Sequence, residues 1–514
     1  MRTAELLLLA GAASHAAANK ISLQQVPREA GVAPSTHHAI SRSRMISKRA
    51  SSGSTIPLSD WIGTVDLQWY GTISVGTPAQ NMTVLFDTGS STLLLPGAKC
   101  NGCVSKGRYD ASKSSTTGTV ANSAPRYNVS FDTGGTNVPA KLTSNSFVGI
   151  SGALAQDVVT FPQASGGDLT VKDQAFLVLD DVTSDFDLGP IDGIIGLPPA
   201  SKGSELTSVG GTKGDITQDP TPYLFQLNNT GKLADGVVFT LIMNEGNNAT
   251  GAGGELTLGA VDSSLVKGGA DGISYMDWID EFASLGAGWA VNQNGFDVQV
   301  KSSGSNGASS YADGSAAYAI LDSGTAFIQA PDNDTAASIY STISSDIVPI
   351  DTVGSWGAKC SVLEELAALG DGLTITWHFD GFNATLPAAN LNQGAYPGLD
   401  GICQAAILTP AAPFNFGAPT WLFGSPLLKQ YVNVYDAEKG RVGLGPFEKT
   451  TSSGEGNGAT TTAGGSSASG TGSATAASGT AGVGSTNKNA AGVARPLSIA
   501  TAVAALVASL AIAL

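Results

Sequence analysis

Two short segments of the chain, at residues 87–90 and 322–325, place the same residue types in the same order. Their members are Asp87, Thr88, Gly89 and Ser90 in the first segment and Asp322, Ser323, Gly324 and Thr325 in the second. Each aspartate follows two apolar residues, and a proline lies nine positions after it. An aspartate at the end of an apolar strand is removed from bulk water, while the glycine permits a tight turn that exposes the carboxylate.

A pair of aspartates in such loops would perform acid–base chemistry if the fold brings them together. Two adjacent carboxyls cannot both ionise at low cost, so they share one proton and titrate as a pair. One carboxylate is then a base that activates water for attack on a carbonyl group, and its neighbour protonates the carbonyl oxygen. Thr88 and Ser323 would brace the loops, and Ser90 and Thr325 would donate to the outer carboxylate oxygens. The alternative is that both segments are ordinary Asp-Gly turns.

The elements around these two segments repeat as well. An apolar-Gly sequence ends at Gly196 and another at Gly424, which places the two glycines 109 and 102 residues after the respective aspartates. Short β-branched and aromatic runs alternate with Gly, Asn and Asp turns, which predicts a mostly β protein. The recurring order predicts a duplicated lobe, with an N-terminal lobe at residues 50–250 and a C-terminal lobe at residues 251–449.

A third Asp-Thr-Gly triplet begins at Asp132 but lacks the apolar surroundings of the other two. Tyr127, Val129 and Phe131 alternate with polar residues, which is typical of a strand with one face in solvent. No apolar strand follows the triplet. We therefore reject Asp132 as a catalytic acid.

Composition limits the chemistry that is available to the chain. It has 514 residues with 26 Lys and Arg against 42 Asp and Glu, giving a formal charge of −16. This excess of acid argues against nucleic acid as a partner, because a phosphate backbone is bound by clustered cations. Three of the four histidines lie before residue 50, in segments that we expect to be removed, and there are four cysteines. We therefore expect no metal site and no cofactor.

The first 49 residues have the features of targeting and processing segments. Residues 1–18 combine an early arginine, an apolar run and small residues near their end, which is typical of a secretory signal peptide. Residues 19–49 carry six Lys or Arg against one Glu and end in Lys48 and Arg49, which predicts a propeptide cut after Arg49. A cationic pro-segment on an anionic body predicts a precursor that is released by acid.

The last 65 residues predict a stalk and an anchoring signal. Residues 450–492 are nearly all Ser, Gly, Thr and Ala, a composition that cannot bury enough apolar surface to fold. Residues 493–514 end in an apolar run without a following cation, which matches a signal removed on transfer to a GPI anchor. Asn489 is the predicted attachment residue, and a retained transmembrane helix is the alternative. Other attachment residues that stay open are Gly482, Gly484 and Ser485.

Six Asn-X-Ser/Thr sequons agree with passage through the secretory pathway. They begin at Asn81, Asn128, Asn228, Asn248, Asn333 and Asn383. Together with the two ends of the chain, they predict a protein on the outer face of the plasma membrane or in the cell wall.

The motifs between about residue 66 and residue 447 resemble the pepsin family of aspartic endopeptidases. The matching segments are residues 70–80, 87–90, 191–197, 322–325 and 421–424. The resemblance implies a bilobal, mostly β fold with an internal duplication and a cleft between the lobes. It implies Asp87 and Asp322 as catalytic residues that hydrolyse peptides or proteins at acidic pH, and we expect a monomer. With its two ends included, the chain is similar to the yapsin-like, GPI-anchored proteases of fungal cell surfaces, with a possible linkage to wall glycan.

The same resemblance implies how the cysteines pair. Family members often carry a small disulfide just after the first loop, which corresponds to Cys100 with Cys103, and a second bridge in the C-terminal lobe, which corresponds to Cys360 with Cys403. A redox-active Cys-X-X-Cys is the alternative for the first pair.

Two positions depart from the family pattern. The family's flap hairpin usually offers a tyrosine over the cleft, hydrogen-bonded to a tryptophan after the first loop. Here Phe131 aligns with the tyrosine and Leu94 with the tryptophan. The paired loss indicates either a repacked apolar flap on an active enzyme, which we favour, or a lobe drifting from catalysis; Tyr127 in an altered hairpin is a third arrangement. Asp132 at the flap tip either lies in a solvated turn or faces a basic side chain of the substrate.

Overall fold

A computed structural model of the protein describes most of residues 54–448. The internal ranges outside this description are 62–67, 104–106, 121–126, 133–146, 163–168, 183–190, 200–221, 244–253, 286–287, 302–307, 353, 397 and 411–416. The predicted signal peptide, propeptide, stalk and anchor signal, including Asn489, lie outside the described residues. Those assignments therefore stay predictions.

Strands dominate the described part of the chain, as the sequence predicts. The first thirteen are β1 (Ser54–Trp61), β2 (Gln68–Val75), β3 (Gln80–Asp87), β4 (Leu93–Asn101), β5 (Gly118–Thr119), β6 (Tyr127–Asp132), β7 (Phe147–Phe161), β8 (Leu169–Val182), β9 (Gly193–Gly196), β10 (Val238–Met243), β11 (Gly254–Leu258), β12 (Ser274–Asp277) and β13 (Ala290–Val300). The others are β14 (Ser309–Asp313), β15 (Ala317–Leu321), β16 (Ile328–Gln329), β17 (Val348–Pro349), β18 (Trp356–Lys359), β19 (Leu373–Phe379), β20 (Phe382–Pro387), β21 (Asn392–Ala395), β22 (Ile402–Ala405), β23 (Ile407–Leu408), β24 (Thr420–Phe423), β25 (Tyr431–Asp436) and β26 (Arg441–Pro446).

The helices of the described part are short and lie between strands. They are α1 (Tyr223–Asn229), α2 (Asp280–Leu285), α3 (Asn333–Ile343), α4 (Cys360–Ala367) and α5 (Ser425–Leu428). Asp332 caps α3 by accepting a hydrogen bond from the Thr335 amide at 2.7 Å. None of the helices that the structure describes is both long enough and apolar enough to cross a membrane.

The strand pairing around residues 87–90 repeats around residues 322–325. Strand β3 runs parallel to β9 with Asp87 opposite Gly196, and β15 runs parallel to β24 with Leu321 opposite Phe423. In each case the strand after the loop, β4 or β16, pairs antiparallel with the same partner. The first set belongs to a 14-stranded sheet and the second to an 8-stranded sheet, while β17, β18, β22 and β21 form a separate 4-stranded sheet. The duplicated motif therefore corresponds to a duplicated strand arrangement.

The residues before the first loop alternate between two apolar clusters. Val84 and Phe86 of β3 pack in the large core, whereas Leu85 packs in a smaller cluster that also contains Leu94 and Ile194. Because side chains alternate along a strand, Asp87 projects to the same side of the sheet as Leu85. The first aspartate thus lies beside the smaller apolar cluster.

Both predicted disulfides are present. Cys100 is bonded to Cys103 with their Cα atoms 5.7 Å apart, and Cys360 is bonded to Cys403 with their Cα atoms 4.7 Å apart. The second bridge joins the start of α4 to β22, which holds the helix against the 4-stranded sheet. Cys100 and Cys103 are partly buried against the smaller apolar cluster.

Candidate active site

Each aspartate loop is held by the backbone of the apolar-Gly segment next to it. The amide of Leu197, one residue after β9, donates to the carbonyl oxygen of Asp87 at 2.8 Å. The amide of Asp322 donates to the carbonyl oxygen of Phe423 in β24 at 2.9 Å. The segments that contain Leu197 and Phe423 therefore fix the backbone at the two aspartates, where each loop begins.

The structure brings Asp87 and Asp322 into direct contact. Both side chains are 2% exposed, and their carboxyl groups share a hydrogen bond. A Cβ atom added to Gly89 would overlap the carboxyl of Asp322, and one added to Gly324 would overlap the carboxyl of Asp87. Each glycine therefore makes room for the aspartate of the opposite loop, which explains why both motifs need a residue without a side chain at this position.

A reciprocal set of hydrogen bonds joins the two loops beneath the aspartates. The Thr88 amide donates to Ser323 Oγ at 3.1 Å, and the Ser323 amide donates to Thr88 Oγ1 at 2.9 Å. Thr88 Oγ1 in turn donates to the carbonyl oxygen of Leu321 at 2.9 Å, and Ser323 Oγ donates to that of Phe86 at 2.7 Å. Thr88 and Ser323 thus occupy the bracing positions that the sequence assigns to them.

The hydroxyl groups at the fourth position of each motif differ from each other. Thr325 Oγ1 donates to Asp322 Oδ2 at 2.7 Å, in the role expected from sequence. The buried Ser90 Oγ makes no hydrogen bond of normal geometry, but it lies close enough to Asp87 to lower the pKa of that carboxyl, as the expected donation would. Asp87 is satisfied instead by the Gly89 amide at 2.9 Å and by Asp322.

Burial and mutual repulsion set the protonation of the pair. Burial raises the pKa of Asp87 well above its usual range, and the charge of Asp322 and the hydrogen bond to it raise the pKa further. Burial also raises the pKa of Asp322, but hydrogen bonds from Asp87, Thr325 and the Gly324 amide lower it in part. The two carboxyls therefore share one proton, and the hydroxyl of Thr325, which donates to Asp322, favours the charged form of Asp322.

The structure describes the backbone of the flap strand β6 but not the side chains on it. Phe131 and Asp132 lie in β6, where Phe131 pairs with Val148 of β7, but the predictions for the side chains of Tyr127, Phe131 and Asp132 lie outside the described part. Leu94 is 5% exposed and packs in the smaller apolar cluster, beside Leu177 and Ile194. The residue aligned with the tryptophan is therefore a buried leucine, which has no hydrogen-bond donor in its side chain.

The predicted glycosylation residues are exposed at three of the described positions. Asn81, Asn333 and Asn383 are exposed and Asn228 is half-buried, while Asn248 and the side chain of Asn128 lie outside the description. Asn81 and Asn383 use only their Oδ1 atoms in hydrogen bonds to Ser74 and His378.

Across the described residues, no group of three or more His, Cys, Asp or Glu side chains is arranged to hold a metal ion.

A buried aromatic group behind the loops has no signal in the sequence. Trp289, just before β13, and Tyr435 in β25 are both fully buried, and their rings are 5.1 Å apart. Trp289 Nε1 donates to the carbonyl oxygen of Leu197, which is 92 residues away in sequence. A single tryptophan between small residues forms no periodic pattern, so only the fold reveals this contact.

A mostly β fold in which two Asp-hydroxyl-Gly loops meet through buried carboxyls defines the class of aspartic peptidases. The chain belongs to the family described as Eukaryotic aspartyl protease, whose profile matches residues 68–447. Its sequence is similar to "Cathepsin E-A" of Xenopus laevis, with 28% identity over 76% of this chain and 82% of that protein. It is also similar to "Gastricsin" of Homo sapiens, with 26% identity over 74% of this chain and 81% of that protein.

The buried pair predicts a specific dependence of stability on pH. Because the folded-state pKa of Asp87 is raised, its contribution to folding is present below its unfolded pKa of about 3.9 and is lost as the pH rises through the folded-state value. Asp87→Asn removes this titration. We expect the free energy of unfolding of the wild type to fall relative to that of Asp87→Asn between pH 4 and pH 7.

Urea denaturation at several pH values measures this difference. Asp271→Asn, which changes an exposed aspartate of a 3-10 turn, is the control and should follow the wild type. If the free energies of unfolding of the wild type and Asp87→Asn changed with pH in parallel, the raised pKa of Asp87 would be contradicted.

Proposed function

We propose that the protein is a secreted, cell-surface-anchored aspartic endopeptidase that hydrolyses peptide bonds at acidic pH. The observation that carries the proposal is the direct contact of two buried carboxyl groups, Asp87 and Asp322, from loops that make room for each other. Family membership supports peptide hydrolysis as the reaction. Asp87 and Asp322 are the proposed catalytic residues.

We infer a role for each aspartate in the first step from the hydroxyl of Thr325, which favours the charged form of Asp322. Asp322, as the carboxylate, takes a proton from a water molecule while the water oxygen bonds to the carbonyl carbon of the peptide. Asp87, as the acid, gives its proton to the carbonyl oxygen. A neutral tetrahedral species results, and the pair again carries one negative charge.

In the second step the peptide bond breaks. Asp87, now the carboxylate, takes a hydroxyl proton from the tetrahedral species as its carbonyl re-forms, and Asp322, now protonated, gives its proton to the nitrogen as the carbon–nitrogen bond breaks. The pair needs one proton at the start, so activity falls when both carboxyls are protonated or both ionised. A raised pKa for Asp87 keeps one proton on the pair as the pH rises above the usual range of a carboxyl group.

Activity of the intact protein tests the proposed reaction. The full chain, produced in a eukaryotic secretory host and processed there, is incubated with a mixed peptide library from pH 3 to pH 7, with and without pepstatin. We expect acid-favoured cleavage that pepstatin abolishes. Asp87→Asn and Asp322→Asn should each lower kcat/KM by about 10³-fold, because each removes acid–base catalysis.

The exposed-residue variant Asp271→Asn is the control for these measurements and should cleave like the wild type. Absence of cleavage at every pH by folded wild-type protein would overturn the proposal. Pepstatin binding without turnover would then favour a catalytically weak, peptide-binding protein of the wall.

The proposed location rests on the two ends of the sequence. The signal-like residues 1–18 support secretion, and the basic residues 19–49 support a removable pro-segment. The Ser/Gly/Thr/Ala-rich residues 450–492 and the apolar end support a stalk and a GPI anchor. We therefore assign the protein to the yapsin-like type, on the outer face of the plasma membrane or linked to wall glycan.

Treatment of whole cells with phosphatidylinositol-specific phospholipase C checks the anchor. We expect the phospholipase to release the processed protein into the medium, because a GPI anchor is held in the membrane by its lipid alone. Truncation after residue 492 should send the protein to the medium without treatment. A protein that stays in the membrane after phospholipase treatment, but is extracted by detergent, would indicate a retained transmembrane tail.

The apolar Leu94 position provides a further test of the flap. Combining Leu94→Trp with Phe131→Tyr should raise kcat about fivefold, because the indole would give the new phenol a hydrogen-bond partner worth about 1 kcal/mol. Each single variant should gain nothing, since it supplies one partner only. An unchanged kcat in a folded double variant would show that this flap works in another way.

A further inference from the structure

Trp289 contacts both aspartate loops from behind. Its side chain is fully buried, and its Nε1 donates to the carbonyl oxygen of Leu197 at 2.7 Å. Its own carbonyl oxygen accepts the amide of Leu321 at 3.0 Å, and Leu321 directly precedes Asp322. One residue therefore touches the backbone that supports the first loop and the backbone that leads into the second.

These contacts belong to a closed ring of four hydrogen bonds. The Leu197 amide donates to the carbonyl oxygen of Asp87 at 2.8 Å, and the hydroxyl of Thr88, the next residue, donates to the carbonyl oxygen of Leu321 at 2.9 Å. Leu321 donates back to Trp289, whose indole reaches Leu197. Two of the four donors are side chains, namely those of Thr88 and Trp289.

Aromatic packing fixes the indole in this ring. Its centroid is 5.1 Å from that of Tyr435 and 5.8 Å from that of Phe239, and Tyr435 stacks on Phe239 at 4.8 Å. The Tyr435 hydroxyl is buried beside Thr88 and makes no hydrogen bond of normal geometry. The indole thus has a rigid place at the contact between the two loops, and its N–H points at one acceptor.

We propose that Trp289 is a positioning residue that holds the backbones of the two loops at the separation at which Asp87 and Asp322 share one proton. The inference rests on the proposed peptide hydrolysis and adds a residue that does not touch the substrate. Shared protonation depends on the distance between the carboxyls, and a displacement of about 1 Å costs catalysis on the order of 100-fold. A hydrogen bond that spans both loops opposes such a displacement.

Among the described residues, titratable groups act on the pair in two ways. In addition to burial, the charge of Asp322 raises the pKa of Asp87 and the hydrogen bond from Asp87 lowers that of Asp322, and the Tyr435 hydroxyl is a further titratable group that faces them. Burial, followed by the charge of Asp322, raises the pKa of Tyr435 above its ordinary value, so this hydroxyl stays protonated in the acidic range. A change in the pH profile therefore reports on the aspartates.

Trp289→Phe tests the proposal because it keeps an aromatic ring and removes the N–H. We expect kcat to fall about 10- to 100-fold with KM within about twofold, since the indole is buried away from the substrate. The pH profile of kcat should also narrow from both sides. Weaker sharing of the proton raises the lower of the two apparent pKa values, and weaker repulsion lowers the upper one.

Trp377→Phe is the matched control. Trp377 is equally buried and packs on Phe423 at 5.1 Å, but its Nε1 has no hydrogen-bond partner in the described part of the protein. Its replacement should lower the melting temperature somewhat less than Trp289→Phe, because both lose similar packing but only Trp289→Phe also loses a hydrogen bond. It should leave kcat and both limbs of the pH profile unchanged.

A second substitution distinguishes the effect of losing the hydrogen bond from the effect of losing side-chain volume, both of which occur in Trp289→Phe. Benzothienylalanine at position 289 has nearly the shape of tryptophan, with sulfur in place of the N–H, and should narrow the profile as Trp289→Phe does. A wild-type profile for this variant would overturn the proposal, as would equal narrowing by Trp377→Phe. An inactive, folded wild-type protein would instead overturn the proposed hydrolysis.

Discussion

The close approach of two buried carboxyl groups is the constraint on which the described structure depends. Placed in contact and out of water, Asp87 and Asp322 repel each other whenever both are ionised, so the fold must pay this cost or share a proton between them. The loops avoid any further crowding because Gly89 and Gly324 offer no side chain at the point of contact. Their hydroxyl neighbours then tie the two backbones together.

Asymmetry enters this duplicated site through hydrogen bonding. The strands β3 and β15 have equivalent parallel partners, and both aspartates accept the amide of the glycine two residues on. Only Asp322 receives a hydroxyl donor of normal geometry, from Thr325, which favours its charged form. A repeated sequence motif thus yields two carboxyls with different hydrogen-bond partners, an asymmetry that suits one of them to act as an acid and the other as a base.

Local patterns in the sequence predict the parts of the structure that depend on neighbouring residues. The mostly β fold follows from short β-branched runs such as residues 373–379, which form β19 with alternate residues buried. The contact of Asp87 with Asp322 and both disulfides join residues that are not neighbours, and they are predicted because the motifs resemble those of the pepsin family. The orientation of the Ser90 hydroxyl and the place of Trp289 could not be predicted, because each is set by packing in the folded protein and not by a sequence pattern.

The reciprocal glycine contacts limit how the two loops can evolve. A side chain gained at Gly89 would strike the acid of the other loop, and one gained at Gly324 would strike the first. A gene duplication normally frees one copy to change, but here the glycine of each copy lies against the catalytic carboxyl of the other. The repeats therefore remain under joint selection, and neither can be replaced by a variant that was optimised alone.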